Sequence, residues 1–281
     1  MRRTLPAQPS SASFMTITAL GVTGMLLLSG CSISFGDQDS AEDEQRTTSA
    51  VMSRSVVDAL LPAGQVPTGS IAFVADADDP IFGEGVEVNA AAGDQQFDFA
   101  SVEIQKDPAT RDGDAVMGRI TFELAEDSLP VEFTHVQVSV PDARPASILV
   151  GEWRIGMAGE EAAQGPLQAG GSETISVTQC APISLDVVNN GEEPLNDIVL
   201  APSSPVLEVA DTQVPSRIEP GESATLTMGF TCDAEVAEFF TFTPQVTYTS
   251  DGSERTLLTR PVLVEVADSA DVLFGKLRNQ Q

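Results

Sequence analysis

The sequence predicts an all-β chain of two sandwich domains behind an apolar amino terminus. Three observations carry that reading. From Ser70 onward apolar residues recur with period two in short runs. Pro, Gly, Asn and Asp separate the runs, as turns require. No long helical periodicity and no glycine-rich phosphate loop lies between them, which disfavours an α/β fold.

The amino end comes first. Arg2 and Arg3 precede an apolar segment, Phe14 to Leu28, of 15 residues. A membrane-spanning helix needs roughly 20 apolar residues, whereas the centre of a secretion signal needs about 7–15. The segment ends in Leu28, Ser29, Gly30 and Cys31: a large apolar residue, two small ones and a cysteine. This order resembles the lipobox of bacterial lipoproteins. The resemblance implies that residues 1–30 are a signal peptide removed before Cys31. It further implies a thioether-linked diacylglycerol and an N-acyl chain such as palmitate on Cys31. Burying acyl chains gives about 0.8 kcal/mol per methylene, so two or more chains anchor stably. The expected location is the extracytoplasmic face of the cell membrane, with the membrane itself engaged through the lipid anchor. Arg2 and Arg3 supply the positive flank.

All 42 acidic residues and 12 of the 14 basic ones lie after Cys31, so the remainder carries 12 minus 42, or −30. Such charge argues against nucleic acid or anionic headgroups as partners, because phosphate binding rests on Lys and Arg. Residues 31–69 read as a flexible acidic tether, since Ser32 to about residue 50 has too few apolar side chains to offset ordering entropy. Within it "SAVMSRSVVDALL" predicts a short helix stopped by Pro62 and Gly64.

Residues 70–158 form the first predicted β domain. Ile120, Phe122 and Leu124 alternate with Arg119, Thr121 and Glu123. In "VEFTHVQVSV", Val131 and Phe133 share one parity and Val136, Val138 and Val140 the other, so a bulge or bend is expected near His135. "FDFASVEI" and "SILVGEWRIGM" add further strands. Residues 159–172, rich in Gly, Glu and Ala, read as a linker.

Residues 173–268 form the second domain. Ile183, Leu185 and Val187 alternate before an Asn-Asn-Gly turn, and Ala224, Leu226, Met228, Phe230 and Cys232 share a face after a Pro-Gly turn. Phe240, Phe242, Val246 and Tyr248, then Val262, Val264 and Val266, complete a pattern of short strands that reads as a sandwich. The "NNGEEPL" and "IEPGESATL" turns resemble the immunoglobulin-like modules of bacterial surface proteins, over roughly residues 172–268. The resemblance implies a spacer or adhesive platform without a catalytic site. Two features depart from antibody-type domains: Trp153 precedes both remaining cysteines, and residue 230, two before Cys232, is Phe rather than Tyr.

With Cys31 assigned to lipid, Cys180 and Cys232 form an even pair in an oxidising compartment, and a disulfide is the simple reading. A redox or metal pair is the alternative, but there is no Cys-x-x-Cys spacing and no nearby histidine. His135 is the only histidine and lacks a Gly-x-Ser-x-Gly elbow, so it reads as structural. Asp76, Asp78 and Asp79, and Asp112 and Asp114, are hard ligands at short spacing, weak candidates for calcium because the twelve-residue loop pattern is missing. No other metal and no cofactor is indicated. The terminal stretch, residues 269–281, places Val272, Leu273, Phe274 and Leu277 beside Lys276 and Arg278. It reads as a frayed tail, a docking peptide, or a helix folded back on its own sandwich.

The leading functional expectation is a non-enzymatic lipoprotein that presents β-sandwich domains to an envelope protein. The alternative is a lipoprotein that binds a cation or small solute. An enzyme is the third reading: one Trp and one Tyr are poor material for a sugar cleft, and a triad would depend on His135 alone.

Overall fold

The computed structural model describes residues 48–62, 65–93, 95–158, 165–171, 174–266 and 269–280. Cys31 and its flanking motif lie outside the described residues, as do the expected signal segment and most of the expected acidic tether. Glu44–Gln281 belong to one unit. No helix among the described residues is long and apolar enough to cross a membrane.

The first half holds β1 (Val51–Met52), β2 (Ser55–Leu61), β3 (Thr68–Asp76), β4 (Glu87–Ala92), β5 (Gln95–Asp112), β6 (Ala115–Leu124), β7 (Val131–Ser139) and β8 (Ala146–Met157). The second holds β9 (Leu167–Ala169), β10 (Ile175–Thr178), β11 (Ile183–Asn189), β12 (Leu195–Pro202), β13 (Glu208–Gln213), β14 (Arg217–Ile218), β15 (Ser223–Thr231), β16 (Phe239–Phe242), β17 (Pro244–Ser250), β18 (Ser253–Leu258) and β19 (Val262–Glu265). Helix α1 (Ser269–Arg278) follows.

An 11-stranded sheet runs β1-β3-β6-β5-β4-β7-β8-β2-β16-β19-β10. It folds over at β5, whose first residues pair with β4 and whose remainder pairs with β6. The inner faces of β3 and β6 thereby meet those of β7, β8 and β2 around an aromatic core. Phe133 stacks on Trp153 at 5.3 Å between ring centroids, and Phe122 lies 5.5 Å from the same indole. Phe73 and Phe122 lie flat over their cross-strand partners Gly118 and Gly69, where a Cβ would enter the rings.

The predicted irregularity near His135 is present. The β7–β8 register shifts between Phe133 and His135. On one side of the shift Phe133 and Trp153 face the core; on the other Val136 and Val150 do. Trp153 Nε1 donates to the Val150 carbonyl at 3.1 Å, closing the bulge on itself.

The second half is a sandwich of β13-β15-β11-β9 over β14-β12-β17-β18. Lettered in chain order, these sheets read D-E-B-A and C-F-G, the constant-type immunoglobulin arrangement, with β14 added beside strand C. Leu185, Leu200, Leu226 and Tyr248 are buried between the sheets. The chain is therefore all-β with an immunoglobulin-like carboxy-terminal sandwich.

Three sequence expectations are corrected. "SAVMSRSVVDALL" is not a helix: it forms β1 and β2, and β2 pairs in parallel with both β8 and β16. Val56 and Val57 are buried in different cores, so this strand is covered on both faces and burial overrides local propensity. The tether thus ends well before residue 69. Within the expected linker, Leu167 is buried on β9, strand A of the sandwich. The run β16–β17 passes from the large sheet into the sandwich at Thr243–Pro244, and its partner run β18–β19 passes back at Thr259–Pro261, so β16 pairs with β19 in one sheet and β17 with β18 in the other. Thr259 N–H and Oγ1 both donate to the Pro244 carbonyl there, satisfying the break.

Helix α1 is amphipathic, as its sequence suggests, but it packs on the first half rather than on its own sandwich. Leu273, Phe274 and Leu277 meet Val51, Ala72, Val74 and Ala115 on the outer face of β1, β3 and β6. Buried Glu238 fixes this contact. Its carboxylate accepts from Arg54 N–H at 2.6 Å and Lys276 Nζ at 2.6 Å, with Arg54 Nη2 at 3.4 Å. Glu238→Ala strands the Arg54 amide and frees the helix end, so a loss of about 2–3 kcal/mol is expected in urea unfolding. An unchanged midpoint would show that the clasp contributes nothing net.

Candidate interaction groove

Where the large sheet continues past the first core it leaves an open groove of about 630 Å³. Its floor is one face of β2, β16, β19 and β10. The ladder pairs Ser55 with Phe239, Val57 with Thr241, Thr241 with Leu263, and Leu263 with Ser176, which sets these side chains on a common surface. Its wall is the outer face of β3 and β6, where Ser70 pairs with Thr121 and Ala72 with Arg119. The β2–β3 loop makes the rim, with Val66 at 62% exposure.

The electrostatics of the groove oppose those of the chain. The protein carries −28 overall, yet among the described residues lining the groove no side chain is acidic and Arg119 alone is charged. The Arg119 side chain is exposed and makes no hydrogen bond or ion pair among the described residues. It helps lower the pKa of Asp107, a shift caused first by hydrogen bonds from Thr110 and Ala109.

The sequence-nominated acids do not build an ion site. The turns bearing Asp76, Asp78 and Asp79, and Asp112 and Asp114, do meet at one end of β3, β5 and β6, where Ala77 N–H donates to the Asp114 carbonyl. Asp79, however, points inward and accepts from Ser49 N–H (2.6 Å), Ser49 Oγ (2.6 Å), Thr48 Oγ1 (2.9 Å) and Ile81 N–H (2.8 Å). Asp112 pairs with Arg278 of α1. Among the described residues no three acidic, His or Cys side chains converge on a metal position. His135 is half-buried beside the bulge and shares a hydrogen bond with Thr134 Oγ1 at 2.8 Å. Cys180 and Cys232 are bonded, with Cα atoms 6.2 Å apart. The bridge joins the start of β11 to the end of β15, neighbours in one sheet, rather than the two sheets of the sandwich.

Besides Asp107, two titratable groups on the described strands depart from ordinary values. Burial raises Tyr248, partly opposed by a hydrogen bond from the Leu167 backbone and by Arg255. Burial also raises Asp58 on β2; Arg154 lowers it and Glu132 raises it. An acid raised on folding binds its proton more tightly in the native state, so its ionisation lowers stability as pH climbs through the folded pKa. Asp58→Asn is therefore expected to raise the thermal midpoint near neutral pH and to lose that gain by about pH 3, where the native carboxyl is already protonated. A gain that persists in acid would assign the effect to packing instead.

No protein-family model matches the sequence, and no curated protein matches it. Solved structures resemble it only distantly. A protein of unknown function from Porphyromonas gingivalis is 14% identical, covering 77% of this chain and 99% of its own, with a TM-score of 0.27. The N-terminal Ig1-2 module of the Drosophila receptor protein tyrosine phosphatase DLAR is 8% identical, covering 78% and 98%, at 0.23. The Vibrio cholerae VesB protease is 10% identical, covering 53% and 58%, at 0.28. The immunoglobulin-like class of the second half therefore rests on its own strand order.

Proposed function

We propose that this chain is a non-enzymatic lipoprotein of the cell envelope, anchored through Cys31 on the extracytoplasmic face. It holds its β-sandwich body at the membrane surface for a protein partner. The observation that carries the interaction is the groove: it is open, floored by paired strands and free of acidic side chains among the described lining residues, in a chain of net charge −28. The Leu28–Cys31 motif carries the anchoring. Cells expressing the native protein are crosslinked and the captured chains identified by mass spectrometry, with Cys31→Ala as control. One partner captured in proportion, and lost with the anchor, is the expected result. Absence of any specific capture would overturn the reading.

A further inference from the structure

We infer that the groove binds an extended, neutral-to-acidic segment of a partner protein as an added strand on the free edge of β3. This deepens the interaction reading above and rests on it. β1 covers β3 only at Phe73 and Val74, after which Ser53 N–H donates to the Ala72 carbonyl at 2.8 Å. In an antiparallel ladder the two backbone groups of a residue point to the same side, and the side alternates along the strand. Ala72 faces β1, so Ser70 and Thr68 face the same way. The chain that could have covered them turns off at Arg54 into β2, which is already paired on both sides. Thr68 and Ser70 are exposed, line the groove, and have no backbone partner on that side among the described residues.

The opposite margin repeats the feature. Ile175 N–H donates to the Pro261 carbonyl, so Ile175 and Val177 face β19 while Thr174 and Ser176 present their backbone groups to the outside. Free edges invite pairing, and proteins block unwanted ones with charges, proline and bulges. β5 is blocked in that way: beyond its contact with β4 it carries Lys106, Pro108 and Arg111 and two register shifts. The Thr68–Ile71 edge carries none of these devices.

Recognition by strand addition takes affinity from main-chain hydrogen bonds and specificity from alternate side chains. Here one side of the added strand meets Val57, Phe239 and Leu263 on the floor. A cationic segment meets no counter-charge among the described lining residues, whereas a carboxylate can reach Arg119.

The test uses the full lipidated protein in detergent and two synthetic decapeptides of alternating Thr and Val, one with a central Asp and one with a central Lys. Trp153, the sole tryptophan, lines the groove and reports binding by fluorescence; hydrogen exchange reports protection of residues 66–72. The Asp peptide is expected to bind at least about tenfold tighter than its Lys twin, a difference equal to one charge-assisted hydrogen bond, and to slow exchange there. Ser70→Pro removes an outward amide without touching the β6 ladder, and proline is tolerated on edges. It should lose about tenfold in affinity with the urea midpoint unchanged. Should that variant misfold, Arg119→Glu serves: it should invert the preference between the peptides. No titration by either peptide, equal binding by Ser70→Pro, or a preference for Lys in the native protein would overturn the proposal. So would full protection of residues 66–72 before any peptide is added, because the chain would then cover its own edge. Equal capture of the cellular partner by native and Ser70→Pro protein would remove the groove while leaving the interaction reading intact.

Discussion

Gly151→Ala is expected to cost about 4 kcal/mol, the sum of a left-handed backbone penalty and overpacking against a neighbouring strand. Gly151 sits inside the β8 bulge with φ +94°, and an added Cβ would lie 2.1 Å from the Ser55 carbonyl oxygen and 2.6 Å from the Ser55 nitrogen. Those atoms belong to the parallel ladder that joins β8 to β2. Neither can rotate away as a side chain would. Relief therefore requires β2 to move, and β2 is the strand through which the first core meets the second. Gly113→Ala is the matched control: it also has positive φ, +60°, but nothing within 4 Å of the added methyl. It is expected to cost only about 1 kcal/mol. With a urea slope near 3 kcal/mol/M, the two midpoints should separate by about 1 M. Equal, small losses in both variants would show that the β2–β8 seam yields easily.

The same bulge marks how far the sequence was legible. The parity change in "VEFTHVQVSV" located the irregularity because alternation reports which face each side chain seeks, and that is local information. The apolar stripe Leu273, Phe274 and Leu277 was visible for the same reason, but its destination was not. That depends on β1 and β3, some 200 residues away, on general grounds of non-local pairing. β2 was misread because its partners are as distant: Asp58 pairs with Arg154 on one side and Phe242 on the other. The Asp79 cluster looked like cation chemistry, whereas its carboxylate satisfies backbone and hydroxyl donors around a short helical turn. Nothing in the sequence announced the groove. Arg119 reads as an ordinary solvent-facing residue of an alternating strand, and only the fold brings it opposite Leu263 and Phe239.

Loss of the Cys180–Cys232 bridge is the other large effect, and it acts on the groove as well as on stability. A loop spanning 52 residues gives about 4 kcal/mol in the chain-entropy treatment. Part of that is offset in the native state. Gln179 and Cys180 both adopt φ of 54°, two successive left-handed residues in the turn that takes the chain from β10 into β11. Each such residue costs about 1 kcal/mol or more, so cutting the bridge lets this turn relax and return some of the loss. The double variant Cys180→Ser/Cys232→Ser is therefore expected to lose about 2–4 kcal/mol in urea, with a larger slope because the unbridged denatured chain is more expanded. Gln179→Gly separates the two contributions. It removes left-handed strain at one residue and should stabilise the bridged protein by up to about 1 kcal/mol, and the unbridged one by less if the turn has already relaxed. Relaxation of that turn also frees the end of β10, so hydrogen exchange in residues 174–178 should quicken in the double variant. A stability loss with unchanged exchange there would confine the bridge to the sandwich and detach it from the groove margin.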